Sequence, residues 1–286
     1  LQDGDPFRTF RAGNAVLSCA KTAFLAQKGL MKELFLLVLA GAVLGSFSSL
    51  FEGKQVRDAS FYMVYLLALA LILKNFQSSG ENLKAVITSL VAFMRILTPS
   101  YYLAAAAAGG ASSAVMFYQM LLLVILTVEK LLLALVLPMI HIYLLIALVN
   151  DLSGEEILSH MTELLETCVN GLLKSSLGVL VGMQMIRNLI APALDSLRQM
   201  ALWRTAGMIP GIGNAVNAVT ELVAGSAVLI RNCFGVTAML VLLAAGMVPA
   251  VQLLVSGLSF RLLAAAAQPV SDKRIAGCLA AAGKGY

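Results

Sequence analysis

Apolar residues run along this chain in stretches far longer than a soluble helix or strand needs. Between Arg95 and Glu129, 33 consecutive residues carry no formal charge, and between Arg231 and Arg261 another 29 carry none. Runs of 18 or more match a crossing of about 30 Å of hydrocarbon. Lipid offers backbone groups no hydrogen-bond partner, so a span must be a helix or part of a closed barrel. The Leu, Ala and Met content, without ~10-residue alternating segments, predicts helices. The expected fold is an all-α polytopic membrane protein.

Polar turns divide the apolar stretches. A polar or amphipathic segment over 1–29 precedes a first span, Leu30 to Leu50, in which Gly41 and Gly45 have the GxxxG spacing of a close helix contact. The turn Glu52 to Asp58 should end it, and Phe61 to Phe76 follows as a short second span. Gln77 to Glu81 predicts another break, and Leu83 to Leu97, which holds Arg95, should stop at Thr98-Pro99, where a helix loses an N–H and meets the proline ring. From Tyr101 to Val149 a single helix would measure ~73 Å, so a fold-back is expected at Gly109-Gly110 or at Glu129-Lys130. Ser153-Gly-Glu-Glu156 has the spacing of a capping box and should open an amphipathic helix over 153–170, with Glu155, Glu156, Glu163 and Glu166 on an acidic face; it either lies on the membrane surface or docks a partner, and docking is favoured because anionic lipid repels an acidic face. Leu172 to Leu194 is a further span, with Gly178 and Gly182 as a second GxxxG and with Arg187 and Pro192 interrupting it.

A spacing recurs. Pro99 and Pro210 lie 111 positions apart, as do Pro138 and Pro249, and Phe93-Met-Arg95 is answered by Leu202-Trp-Arg204. This predicts two duplicated units, a first membrane repeat over 30–152 and a second over 171–270, followed by a tail over 271–286. Each repeat should contain spanning helices and a Pro/Gly-broken helical hairpin, either re-entrant or fully spanning. Interrupted hydrophobic segments in two halves point to a polar site near the bilayer midplane. The candidate helix-break and pore residues are Arg95, Pro99, Gly109 and Gly110 in the first, and Arg204, Pro210, Gly211, Gly213, Asn214, Asn217 and Glu221 in the second. Asn214, Asn217 and Glu221 share one stripe of an otherwise apolar helix and should face protein or water, because such groups are costly toward lipid. They either line a path or make interhelical hydrogen bonds with Arg204 or Arg231 as counter-charge.

Composition narrows the class. Of 286 residues, 60% are hydrophobic and 12% charged, against about 25% charged in soluble domains. The net charge of +5 comes from 20 scattered Lys and Arg, which suits loops meeting anionic headgroups and forms no nucleic-acid stripe. Cys19, Cys168, Cys233 and Cys278 have no metal-type spacing and read as small apolar fillers. His141 and His160 form no HExxH, Gly211-Ile-Gly213 lacks the strand and the GK[ST] of a phosphate loop, and no nucleophile and base pair up, so no enzyme and no cofactor or metal site is expected. Leu1 and the soft Ala/Gly run before Tyr286 read as cuts in a longer protein.

Arg95-Ile-Leu-Thr-Pro99-Ser-Tyr-Tyr, the Ala-Gly-Gly stretch after it, and Ile209-Pro-Gly-Ile-Gly-Asn-Ala215 with Ala218-Val-Thr220 resemble the stage III sporulation protein AE family of endospore-forming bacteria. The resemblance covers nearly the whole chain and rests on the order of the Pro/Gly breaks. It implies a polytopic component of the channel or feeding apparatus between mother cell and forespore, in the mother-cell membrane around the forespore and needed for late forespore gene expression. The implied partners are products of the same operon: an ATPase, a secretion-type membrane protein and ring-forming subunits, with self-association also open. A stand-alone secondary transporter and a structural membrane scaffold are the competing classes.

Overall fold

The structure, a computed structural model, describes residues 6–48, 54–107, 111–153, 158–206 and 213–286. Every regular element among them is helical: α1 (Pro6–Ser48), α2 (Lys54–Ala107), α3 (Ala111–Leu131), a π-helical segment (Leu132–Val136), α4 (Leu137–Ser153), α5 (Ser159–Ala206), α6 (Gly213–Ala267) and α7 (Lys273–Gly285). Four helical stretches among the described residues are long and apolar enough to cross a membrane: Asp58–Tyr101, Gln119–Ser153, Ser159–Ile190 and Val228–Ala267.

The helices are longer than the polar turns suggested. α2 has 54 residues and at 1.5 Å per residue is ~81 Å long, more than twice the hydrocarbon thickness. It runs without a break through Gln77–Glu81, joining what the sequence divides into two spans. The polar residues there are satisfied in place, since Gln77 Nε2 donates to Glu81 Oε1 one turn on, at 3.3 Å. The helix also passes through Pro99, which was expected to stop it. Membrane-type helices tolerate such a proline where hydroxyls re-satisfy nearby carbonyls, and Thr98 Oγ1 donates to the Met94 carbonyl at 2.6 Å, beside the carbonyl of Arg95 that Pro99 leaves without a partner. Pro249 likewise lies inside α6, and α5 continues through Pro192.

The helical path from α3 to α4 also continues through Glu129-Lys130. Its irregularity is the π segment, which directly precedes Pro138. The ring and the missing N–H of Pro138 disturb the carbonyl four residues upstream, at Ala134, within that segment. The other expected fold-back, Gly109-Gly110, lies outside the described residues, between the end of α2 and the start of α3.

Ser153 does not open a helix. It closes α4, its Oγ donating to the Asn150 carbonyl at 2.8 Å, and the start of α5 is met instead by Asn150, whose Oδ1 accepts from the Leu158 N–H at 2.9 Å. The expected amphipathic helix is therefore the opening of the 48-residue α5, continuous with the apolar part that follows.

Two compact units are formed: Leu1–Lys84 with Val136–Asn170 and Met247–Tyr286, and Ala85–Leu135 with Gly171–Gly246. The first holds a contiguous core that includes Leu34 and Val38 of α1, Tyr65, Ile72 and Phe76 of α2, Leu144 and Leu148 of α4, Phe260 of α6, and Cys278 and Leu279 of α7. The GxxxG at Gly41 makes one of its contacts, since a Cβ there would come within 2.9 Å of Val64. Gly178 and Gly182 meet nothing within 4 Å among the described residues. In the second unit, Val91 of α2 and Ala238 of α6 are buried.

Candidate functional site

Residues 271–286, a tail in the sequence pattern, contain the most deeply seated helix of the first unit. α7 has 13 residues, too short to cross a bilayer, and follows α6 after a tight turn in which the Ser271 N–H donates to the Ala267 carbonyl at 2.8 Å. Its start is capped by Asp272, whose side chain accepts from the Arg274 N–H at 3.0 Å. Ile275, Cys278, Leu279 and Ala282 recur at helical intervals and are all buried. Small residues bring its backbone close to its neighbours. A Cβ on Gly283 would come within 3.0 Å of the Gly257 carbonyl oxygen, and one on Gly277 within 3.3 Å of the Asp151 carboxylate.

α7 ends at the polar waist of α2. The Tyr286 hydroxyl accepts from Asn75 Nδ2 at 2.5 Å and is also hydrogen-bonded to Ser79. Its ring stacks on Phe260 at 5.3 Å between centroids and meets Phe76 edge-on at 5.1 Å. Burial pushes the Tyr286 phenol above its ordinary range. On the other side of Phe76 stands His141, edge-on at 5.0 Å, with Nδ1 bonded to the Leu137 carbonyl at 2.8 Å. That bond makes Nδ1 the protonated nitrogen and leaves Nε2 toward Gly80. A Cβ on Gly80 would lie 2.9 Å from His141 Cε1. Thus the Gln77–Glu81 segment is a seat that accepts an imidazole and a phenol. Gly80→Leu is expected to destabilise the first unit by about 1–3 kcal/mol through overpacking, read as a fall in melting temperature in detergent, while Gln77→Ala on the exposed side stays within about 0.5 kcal/mol.

The other end of the seat is polar as well. Arg274 reaches the Leu152 carbonyl at 3.5 Å and lies 5.6 Å from the centre of the Phe61 ring. Lys284 Nζ meets Glu166 Oε2 at 2.6 Å, and this bond holds the ammonium above the usual lysine range. Both groups are largely exposed, so the pair contributes under about 1 kcal/mol. With Tyr143, Thr162, Glu163, Thr167 and Asn170 the pair surrounds a polar recess of about 440 Å³. Of the four glutamates read as a docking face, Glu163 is exposed, Glu166 is engaged with Lys284, and Glu155 and Glu156 lie outside the described residues.

Among the helix-break and pore candidates, Arg95 and Pro99 are exposed on α2. Gly109, Gly110, Pro210 and Gly211 lie outside the described residues, and so do the side chains of Arg204, Asn214, Asn217 and Glu221, with the surroundings of Gly213. Motif reasoning missed α7. Its signals were present in Asp272 as an N-cap and in the spacing of Ile275, Cys278, Leu279 and Ala282, but Ala and Gly dominate the segment and carry little hydrophobic weight.

The chain matches the family described as Stage III sporulation protein AE over residues 2–286. It belongs to that family. The Stage III sporulation protein AE of Bacillus subtilis (strain 168) is 24% identical over 256 residues, which make up 89% of this chain and 64% of that protein. The chain thus spans less than two thirds of the length of this curated relative. No solved structure matches it. Together with the four span-length helices, membership makes this member of the stage III sporulation protein AE family a sporulation membrane protein.

Proposed function

We propose that the chain is a non-enzymatic integral membrane component of a multiprotein secretion or feeding channel between mother cell and forespore, located in the mother-cell membrane around the forespore. The observation that carries this is the family match from residue 2 to 286, on a chain whose helices are of spanning length. Its partners in this role are an ATPase, a secretion-type membrane protein and ring-forming subunits of the same operon. The exposed start of α5 at Glu163 suits docking of such a partner, and the 111-residue proline spacing supports a duplicated membrane body whose second broken segment carries Asn214, Asn217 and Glu221 toward a path. The continuity of α2 through Pro99 removes one of the two breaks on which a stand-alone transporter would depend.

Two measurements test this. Purification from membranes of sporulating cells is expected to bring down the ring-forming subunits and the ATPase; protein that purifies alone and moves a solute across proteoliposomes would instead make it a transporter. Single cysteines at Asn214, Asn217 and Glu221, with the four native cysteines replaced, are expected to react with a water-soluble maleimide in intact membranes, while cysteines at Val216 and Val219 do not. Silence at all five positions in inserted protein would mean a dry packing stripe and leave a scaffold.

A further inference from the structure

The polar recess of about 440 Å³ in the first unit has one face of α5 as its wall, with Glu163, Glu166, Thr167 and Asn170 at helical intervals. Lys284 of α7 engages Glu166 from across the recess. Glu163 is exposed and makes no hydrogen bond or ion pair among the described residues. Two carboxylates against one ammonium leave the lining with one negative charge in excess. Just outside the lining, Arg261 acts on Lys284 and Asp151 on Tyr143, one basic and one acidic group, so the balance holds. Tyr143 of α4 closes the recess from within. It is 9% exposed, so more than nine-tenths buried, and its phenol interacts electrostatically with both Lys284 and Glu166. Its hydroxyl nevertheless has no hydrogen-bond partner among the described residues, whereas a buried tyrosine ordinarily finds one.

The surroundings decide what covers this recess. The α4 and α5 walls lie in stretches long and apolar enough to cross a membrane, where acyl chains cannot solvate Glu163, Glu166 or Lys284. Beside Glu163, Leu164 is 64% and Met161 54% exposed, and a bare ion would leave both uncovered. No group of three or more metal-ligating side chains occurs among the described residues. A protein surface that is apolar around one cationic, donor-rich group meets all of these demands. Guanidinium is that group: it is always charged, is weakly hydrated, and has five donors in a plane, enough for a carboxylate and a phenol oxygen together. We propose that the recess receives an arginine side chain of a partner membrane protein, its guanidinium held by Glu163 and the Tyr143 hydroxyl and its apolar neighbours lying on Leu164. This rests on the reading of α5 as a docking face and adds the chemistry of the partner.

The test uses the full chain in membranes of sporulating cells, with the photo-crosslinking residue p-benzoylphenylalanine in place of Thr167, an exposed position of the recess wall. Irradiation is expected to join it to a membrane protein of the same operon, on a peptide that contains an arginine. Glu163→Gln should cut both this adduct and the co-purified partner about tenfold, the effect of losing one charge-assisted hydrogen bond. Glu163→Arg should abolish both, and changing the partner's arginine to glutamate should restore them. Glu33→Arg, the same charge change at an exposed position of α1, should alter neither. Tyr143→Phe should weaken the association about threefold without lowering the melting temperature, because no hydrogen bond within the described chain is lost. Adducts with lipid alone, or co-purification unchanged by Glu163→Gln, would overturn the proposal and leave the channel reading standing. An arginine adduct on a membrane protein from outside the operon would support the recess and overturn that reading. A wild-type chain that retains no partner would overturn both.

Discussion

Replacing Phe260 with alanine is expected to lower the stability of the first unit by about 3 kcal/mol, whereas Leu262→Ala, two residues along the same helix, should change it by less than about 0.5 kcal/mol. The contrast comes from exposure: Phe260 is 0% exposed and Leu262 67%. In a soluble core, both the transfer from water and the cavity left behind would count. Between helices in lipid the transfer part fades, because hydrocarbon solvates a leucine as well as a neighbouring helix does, and what remains is lost packing. That places Phe260→Ala at the lower end of the usual range for such truncations. It also removes the face on which Tyr286 stacks, so the α7 seat should loosen with it. Denaturant titration in mixed micelles, followed by helicity, measures both variants. Equal midpoints would mean that α7 and α6 do not pack as described.

The helical, membrane-spanning class was legible from the long apolar runs, because 33 residues without a charge and rich in Leu, Ala and Val exceed the roughly 20 that a crossing of the hydrocarbon needs. Helix boundaries were not. Gln77, Ser79, Gly80 and Glu81 look like a turn by composition, yet each has a reason to be polar or small inside a helix: Gln77 pairs with Glu81, Ser79 with Tyr286, and Gly80 leaves room for His141. The first is an i, i+4 pair within α2 that can be read along the chain, but the other two depend on Tyr286 after α7 and on His141 of α4 and cannot. Pro99 and Pro192 misled in the same way, since a proline costs a helix one hydrogen bond wherever it falls, but a long helix can bear that cost. Ser153 carried a true capping signal at the wrong end, because Asn150, three residues earlier, was the better-placed acceptor for the next helix. The candidate site divides along the same line. Single residues that stand out chemically, such as Arg95, could be picked from the sequence. The α7 seat, made of alanines and glycines, depends on shape and not on functional groups.

Cys278 is expected to react with a maleimide at pH 8 at least about 10³-fold more slowly than Cys168 in the folded protein, and at a comparable rate once the chain is unfolded. Cys278 is 1% exposed on the buried face of α7, while Cys168 is exposed on α5. Burial pushes the Cys278 thiol up to about 12, and only its side-chain hydrogen bond with Tyr65 works against this. At pH 8 a thiol of that kind is ionised to on the order of one part in 10⁴, against roughly a quarter for an ordinary cysteine near 8.5, and the thiolate is the nucleophile. Raising the pH narrows the gap, because the rate at Cys278 keeps rising about tenfold per unit until the pH nears about 12. The same shift has a stability consequence of definite sign. Between about 8.5 and about 12 the folded protein keeps a proton that the unfolded chain releases, so the unfolded state binds fewer protons and stability falls with rising pH, by at most about 1.4 kcal/mol per unit. Cys278→Ala should remove that slope. Labelling of Cys278 at the rate of Cys168 in folded protein would show that α7 leaves its seat, and the short helix would then be a mobile arm rather than the buried centre of the first unit.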